Sequence, residues 1–98
     1  YLTTRYQGFT TDGALAYTTT EASTEAGEVT VEFDNPQSAP HDVAFEDSGG
    51  TEVGGTDLIT DSSTSTTVDF EKPGEYTFFC TVPGHREAGM EGTLTVEQ

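Results

Sequence analysis

Apolar and polar residues alternate along much of this chain, and this period of two predicts half-buried β-strands. Val29, Val31 and Phe33, separated by polar residues, give the clearest example. Alternation or a short apolar stretch also predicts strands at residues 1–6, 14–18, 21–24, 43–46, 57–60, 66–70, 76–80 and 94–96. No segment shows the 3.6-residue period of an amphipathic helix, so we expect no helices.

Segments rich in glycine, proline and polar residues separate the predicted strands. They predict turns or loops at residues 8–13, 26–28, 35–40, 47–55, 61–65 and 72–74. The stretch 47–55 is expected to be an exposed, mobile loop, and Pro73-Gly74 is typical of a tight turn. Many short strands between turn signals favour an all-β fold, a Greek-key β-sandwich of about seven to eight strands. The length suits one domain over residues 1–98.

The charge balance is strongly acidic: three Lys and Arg residues stand against 18 Asp and Glu residues, for a net charge of −15. This charge disfavours nucleic acids and anionic membrane surfaces as partners. It favours a basic protein partner or a high-salt habitat. Solubility alone is an equally good explanation, because net charge informs on association and solubility rather than on fold.

Three features of the sequence bear on where in the cell the protein works. No apolar run approaches the roughly 18 residues of a membrane-spanning helix. Tyr1 opens directly into polar sequence, so we expect a mature or excised domain without its signal peptide. A single cysteine cannot form an internal disulfide, so the cysteine count does not report the redox compartment.

The candidate chemistry lies near the end of the chain. The only cysteine, the only methionine and one of two histidines occur as Cys80, His85 and Met90, spaced C-x4-H-x4-M after a predicted strand. The other histidine, His41, also lies beside a predicted strand. Taken singly, Cys80 and Met90 are ordinary core residues, and either histidine could be a common polar residue. Together, two imidazoles, one thiolate and one thioether are typical of a blue-copper electron-transfer site.

With these residues identified, the chain resembles the cupredoxins, small blue copper proteins of the plastocyanin, halocyanin and auracyanin kind. The resemblance runs over residues 11–97 and is strongest at residues 35–43 and 74–94. Four residues separate Cys80 from His85, as in azurins and auracyanins, whereas plastocyanins have two. The resemblance implies one copper ion. His41, Cys80 and His85 would be its equatorial ligands and Met90 its long axial ligand, with the Pro40 carbonyl on the opposite axial side.

The residues next to these ligands depart from the family pattern in two places. Asp42 stands where the family usually has Asn, and we expect it to face Thr81 and to lower the reduction potential. Val82 stands where plastocyanins usually have Pro, so it keeps its N–H group. We therefore expect two N–H···S hydrogen bonds to Cys80, from Asp42 and Val82. These bonds would raise the reduction potential, whereas the Asp42 carboxylate would lower it.

The resemblance also implies an electron-transfer port at the outer edge of His85. We expect an apolar rim around it, formed by Pro83, Ala88, Gly89, Met90, Pro36 and Phe9. Phe79 stands where photosynthetic plastocyanins carry a second port, an exposed Tyr among acids. It could serve as a port or cover the outer face of the sheet, and we expect covering because strand aromatics usually pack.

The preferred function is one-electron transfer between larger redox proteins, by a monomeric carrier that is not itself an enzyme. The resemblance implies a location outside the cytoplasm, either in the periplasm or at the cell surface. A segment not among these residues could tether the domain to the membrane. One alternative is a type-1 copper relay domain of a larger oxidase or reductase. The catalytic copper of such an enzyme would need histidines beyond the two in this chain. Others are a non-redox copper-binding module and an adhesive sandwich without metal.

Overall fold

The computed structural model of the chain describes residues 5–11 and 16–98. Within them, eight strands and one short helix form a two-sheet sandwich, which confirms the all-β prediction. The strands are β1 (Arg5–Thr10), β2 (Glu21–Glu25), β3 (Gly27–Asn35), β4 (Ala44–Glu46), β5 (Glu52–Gly55), β6 (Ser62–Phe70), β7 (Gly74–Phe79) and β8 (Glu91–Glu97). The helix, α1 (His85–Ala88), lies between β7 and β8.

The two sheets differ in size. One has three strands in the order β1-β3-β6, and the other has five in the order β2-β8-β7-β4-β5. The β1–β3 and β2–β8 pairs are parallel, and the other pairs are antiparallel. The last strand, β8, therefore lies between β2 and β7. Within the described ranges, no helix is long and apolar enough to cross a bilayer.

The core lies between the sheets and is rich in aromatic side chains. Val29, Val31 and Phe33 of β3 are fully buried, while the polar residues between them face outward. Phe9 of β1 packs at 4.7 Å, ring centroid to ring centroid, against Phe78 of β7. Most of the aromatic pairs have edge-to-face geometry, the arrangement that such rings prefer. The apolar residues of the alternating segments thus form the inner faces of the two sheets.

The first described strand extends further along the chain than predicted. Residues 8–10 were expected in a loop, but β1 continues through them and pairs in parallel with β3. The prediction took Gly8 as a turn signal, whereas burial of Phe9, which is 2% exposed, favours the strand. Of the strand predicted at residues 14–18, Tyr17 forms only an isolated bridge with Thr11, and residues 14 and 15 lie outside the described ranges. Residues 1–4 also lie outside them.

Two loop predictions and one further strand prediction were wrong, as was the expectation of no helix. The expected mobile loop contains β5. Gly54 and Gly55 bring this strand close to Val68 and Ala44, where a side chain would be crowded: a Cβ at Gly55 would lie 3.0 Å from the Ala44 backbone. The polar residues from Ser62 onward, expected in a connection, extend β6 because they complete the ladder with β3. Residues 57–60 contribute only an isolated bridge, and α1 was not predicted.

Candidate metal centre

Three potential metal ligands meet at one end of the sandwich. The Cys80 Sγ atom lies 3.5 Å from His85 Nδ1 and 4.0 Å from His41 Nδ1, and all three donor atoms lie within 4.8 Å of one another. Cys80 directly follows β7, His85 begins α1, and His41 precedes β4. Cys80 and His41 are buried, whereas His85 is half-buried. One strand end and two loops therefore converge on a single point.

The spacing and chemistry of these donors fit one copper ion. A first-row transition ion binds thiolate sulfur at about 2.3 Å and imidazole nitrogen at about 2.0 Å, so donors around it at trigonal angles stand roughly 3.5–4 Å apart. The two sulfur–nitrogen distances fall in this range. A thiolate suits Cu(I) and imidazole suits both oxidation states of copper, so the donor types are compatible with a copper ion that changes its oxidation state.

The side chain of Asn35 holds the loop that leads to His41. It is fully buried at the end of β3, and its Nδ2 donates hydrogen bonds to the carbonyls of Ala39 at 2.9 Å and Ile59 at 2.7 Å. Its Oδ1 accepts one from the Thr11 hydroxyl at 2.9 Å. His41 and Ile59 also exchange two backbone hydrogen bonds. From the sequence, Asn35 was expected only to begin a loop, although Asn-Pro after a buried strand is the one local signal of this bracing.

The loop between β7 and β8 is closed by backbone hydrogen bonds. The Cys80 N–H donates to the Met90 carbonyl at 3.2 Å, and the Met90 N–H donates to the His85 carbonyl at 3.0 Å. Gly84 precedes α1 with φ 86°, a left-handed conformation that glycine adopts without strain. The Met90 side chain is fully buried in the same core cluster as Cys80. This loop thus carries three of the four predicted ligands.

Asp42 connects three parts of the site. Its carboxylate accepts hydrogen bonds from the Thr81 backbone N–H at 2.7 Å and from the Thr81 hydroxyl at 2.5 Å. Its own carbonyl accepts a hydrogen bond from the buried Tyr17 hydroxyl at 2.6 Å. The residue after His41 is thereby tied to the residue after Cys80. The contact with Thr81 was expected from the sequence, whereas Tyr17 was predicted only as part of a strand at residues 14–18.

Opposing influences act on the sulfur of Cys80. Burial raises the pKa of the Cys80 thiol, and backbone hydrogen bonds from Asp42 and Val82 partly offset this rise. The Asp42 carboxylate adds a smaller repulsion that also raises this pKa. The two backbone groups that lower this pKa are those from which N–H···S bonds were expected. Such bonds stabilise negative charge on sulfur and reduce its donation to a metal.

The surroundings of His85 agree only partly with the predicted rim. Pro36, Pro83, Ala88 and Gly89 are exposed. Phe9 and Met90 are 2% and 0% exposed, so their assignment to the rim was wrong. Both side chains belong to the hydrophobic core cluster. Pro40 lies directly before His41, and its axial role stays a prediction.

Phe79 lies on the outer face of β7 and is covered. Its exposed fraction is 9%, and the guanidinium carbon of Arg86 lies 4.2 Å from the centre of its ring. Phe79 was expected from the sequence to cover the sheet, whereas no contact was expected for Arg86. An Arg close to an aromatic in space cannot be recognised from sequence when a loop separates the two.

Comparison with known proteins gives a consistent picture. The family described as copper binding proteins, plastocyanin/azurin family, matches residues 6–97 of the chain. The chloroplastic plastocyanin of Physcomitrium patens is 33% identical over 91 residues, which cover 87% of this chain and 52% of that protein. The plastocyanin of Cucurbita pepo is 33% identical over 93 residues, covering 87% of this chain and 91% of that protein. The chain thus spans about half the length of the first relative.

Solved structures support the same fold. The dithionite-reduced auracyanin of the photosynthetic bacterium Roseiflexus castenholzii superposes with a TM-score of 0.86 at 22% identity, over 95% of this chain and 97% of that one. At this identity the similarity concerns the fold alone. It extends over nearly the whole of both chains.

Proposed function

Because the chain belongs to the plastocyanin/azurin family of copper-binding proteins, we propose that it is a one-electron carrier with a single type-1 copper ion. The proposed ligands are His41, Cys80, His85 and Met90. The observation that carries this proposal is the approach of Cys80 Sγ to both imidazole Nδ1 atoms, at 3.5 and 4.0 Å, at a largely buried end of the sandwich. Copper bound there would supply the Cu(II)/Cu(I) couple that such a carrier uses.

The protein contributes a rigid arrangement of donors. Asn35 braces the loop before His41, and Asp42 fixes the segment after Cys80 through Thr81. Donors held in this way move little when the charge at the centre changes, so electron transfer needs little reorganisation. The half-buried ring of His85 is the proposed route by which electrons enter and leave, because the other imidazole is fully buried.

The visible absorption spectrum of the purified chain tests this proposal. After addition of Cu(II), we expect an intense blue or green band that ascorbate removes and reoxidation restores. Equimolar uptake of copper would support one site per chain. A protein that stays colourless and takes up no copper would overturn the proposal and make Cys80, His41 and His85 ordinary residues of an acidic sandwich.

We further propose that residues 1–98 are one domain, acting as a monomeric carrier rather than an enzyme, outside the cytoplasm. Both histidines of the chain belong to the proposed copper site, so a second, catalytic copper would lack imidazole ligands. A relay domain of a larger oxidase or reductase would use the same site. The two cases differ in whether the full-length protein contains further copper or other redox centres, which metal analysis of that protein would count.

The proposed partners are redox proteins with a basic docking surface. Exposed acids lie on both sheets, for example Glu32 and Asp69 on one and Glu75 and Glu97 on the other. A negative field of this kind attracts cationic partners during diffusion and is screened by salt.

We therefore expect electron transfer to a positively charged cytochrome to slow about tenfold as ionic strength rises from about 0.01 M to about 0.15 M, because the Debye length falls from roughly 30 Å to roughly 8 Å. Stopped-flow measurements of the second-order rate constant would check this. An anionic inorganic oxidant is the control, and its rate should rise with salt. A rate to the cytochrome that does not depend on salt would contradict electrostatic docking.

Replacing Met90 tests its proposed axial role. We expect Met90→Leu to raise the reduction potential while copper is retained, because the axial bond is weak. Met90→Gln should lower the potential. Leu and Met have similar volumes, and such core exchanges usually cost less than about 1.5 kcal/mol, so the fold should persist. Voltammetry of both variants would measure the effect, and a potential unchanged in both would show that Met90 is not axial.

A further inference from the structure

The helix that carries His85 has little to hold it in place. α1 has four residues, His85–Ala88, none of which is buried, and no side chain caps its first turn. Within this helix, apolar packing therefore contributes little to the position of His85. Backbone hydrogen bonds close the loop on itself but do not fasten the helix to the neighbouring sheet.

Arg86, the residue after His85, makes the contacts that α1 otherwise lacks. Its Nη2 lies 2.5 Å and its Nη1 3.3 Å from the two carboxylate oxygens of Glu46, a two-point contact. Its Nε donates to Glu91 at 2.6 Å. Its guanidinium also covers the ring of Phe79. A planar guanidinium can make all of these contacts at once, which an ammonium group cannot.

The partners of Arg86 lie on three adjacent strands. Glu46 ends β4, Phe79 ends β7 and Glu91 begins β8, and these strands are neighbours in the five-stranded sheet. β4 is also the strand that begins just after His41. Arg86 therefore links α1, which carries His85, to β4, which follows His41.

Partial burial makes this contact stronger than an ordinary surface ion pair. The side chains of Arg86 and Glu46 are 33% and 18% exposed, so water and salt screen them less than fully exposed charges. The guanidinium of Arg86 stays charged at any pH at which the protein is folded, so these contacts do not depend on its titration. Arg86 is also one of only three Lys or Arg residues in a chain with 18 acids.

We propose that Arg86 is a positioning residue for the metal centre: by binding Glu46, Glu91 and Phe79, it fastens the loop that carries His85 to the outer face of the sheet. This inference rests on the proposed function, because only a bound metal gives the position of His85 a functional meaning. Arg86 acts through the backbone of α1, without touching the proposed ligands.

Hydrogen exchange of the metal-free protein tests the structural half of the inference. In Arg86→Met, which removes the guanidinium, we expect the amides of residues 85–90 to exchange roughly tenfold faster, because local opening of the loop loses its charge-assisted contacts. Amides of β3 and β6 should be unchanged. Lys72→Met is the matched control, because it removes the same charge from an exposed residue before the other end of β7. Unchanged exchange in the loop, or equal acceleration in every strand, would overturn the inference.

The copper-loaded variants test the functional half. We expect Arg86→Met to shift the charge-transfer band and the electron paramagnetic resonance spectrum, because His85 is less firmly held, and Lys72→Met to leave both unchanged. Arg86→Lys, which keeps the charge, should restore the native spectra in part. Spectra of Arg86→Met identical to those of the native protein would refute a positioning role. Failure of the native chain to take up copper would refute the proposed function instead, while the exchange result would still report on the loop.

Discussion

Replacing Cys80 with serine is expected to remove the intense visible band of the copper-loaded protein completely. The band of a type-1 site arises from charge transfer from thiolate sulfur to Cu(II), and a serine hydroxyl cannot supply it. The structure offers no substitute sulfur in the same position, because the chain has one cysteine and the proposed contact of Met90 is weak and axial. Titration with Cu(II), followed by visible absorption, measures the effect.

Colour rather than copper content is the decisive measurement for Cys80→Ser. His41 and His85 remain in this variant, so some Cu(II) can still bind through imidazole alone. Met90→Leu is the matched control, since it alters a buried residue of the same loop and should keep the band. Circular dichroism would show that the serine variant folds. An intense band that survives in folded Cys80→Ser would remove Cys80 from the proposed ligand set.

Gly92→Ala is expected to destabilise the fold by about 3 kcal/mol, at the upper end of the usual cost of overpacking. A Cβ atom at this position would lie 2.3 Å from Cζ of Phe78 and 2.5 Å from the carbonyl oxygen of Thr20. Phe78 is fully buried and packs against other rings, and the Thr20 oxygen belongs to the backbone, so neither can move aside at low cost. Urea unfolding followed by circular dichroism would give the change in unfolding free energy.

Gly49→Ala is the control for Gly92→Ala. A Cβ at Gly49 would meet its nearest neighbour, Asp47 Oδ1, at 3.4 Å, an ordinary van der Waals distance. We expect this variant to unfold within about 0.5 kcal/mol of the native protein, as is usual for surface substitutions. If the two alanine variants unfold at the same urea concentration, the close packing of β8 on Phe78 is not rigid.

The elements that could be predicted from sequence are those with an apolar inner face. β3, β7 and β8 each alternate apolar and polar residues, so the pattern itself indicates both the strand and its buried side. β5 could not be predicted in this way because Gly54 and Gly55 have no side chains that could show an alternation of apolar and polar residues. The start of β6 carries only polar residues, and its pairing with β3 depends on the neighbouring strand rather than on its own side chains.

For the site, the donor types could be predicted and most of the supporting contacts could not. Cys80, His85 and Met90 share one short stretch, so their spacing was informative. Asn35 and Ile59 lie 24 residues apart, and Arg86 and Glu46 lie 40 residues apart. No local pattern connects such pairs, because the fold alone brings them into contact.

The central place of β8 has a consequence for refolding. Among the described strands, β2 pairs only with β8, so β2 has no neighbour in its sheet until residues 91–97 have joined it. Pairing between residues so distant in sequence is slow, so a refolding chain exposes the Cys80 thiol until the sheet that encloses it has closed. Oxidants can reach the thiol during this interval, so the yield of metal-competent protein after refolding should depend on how reducing the medium is.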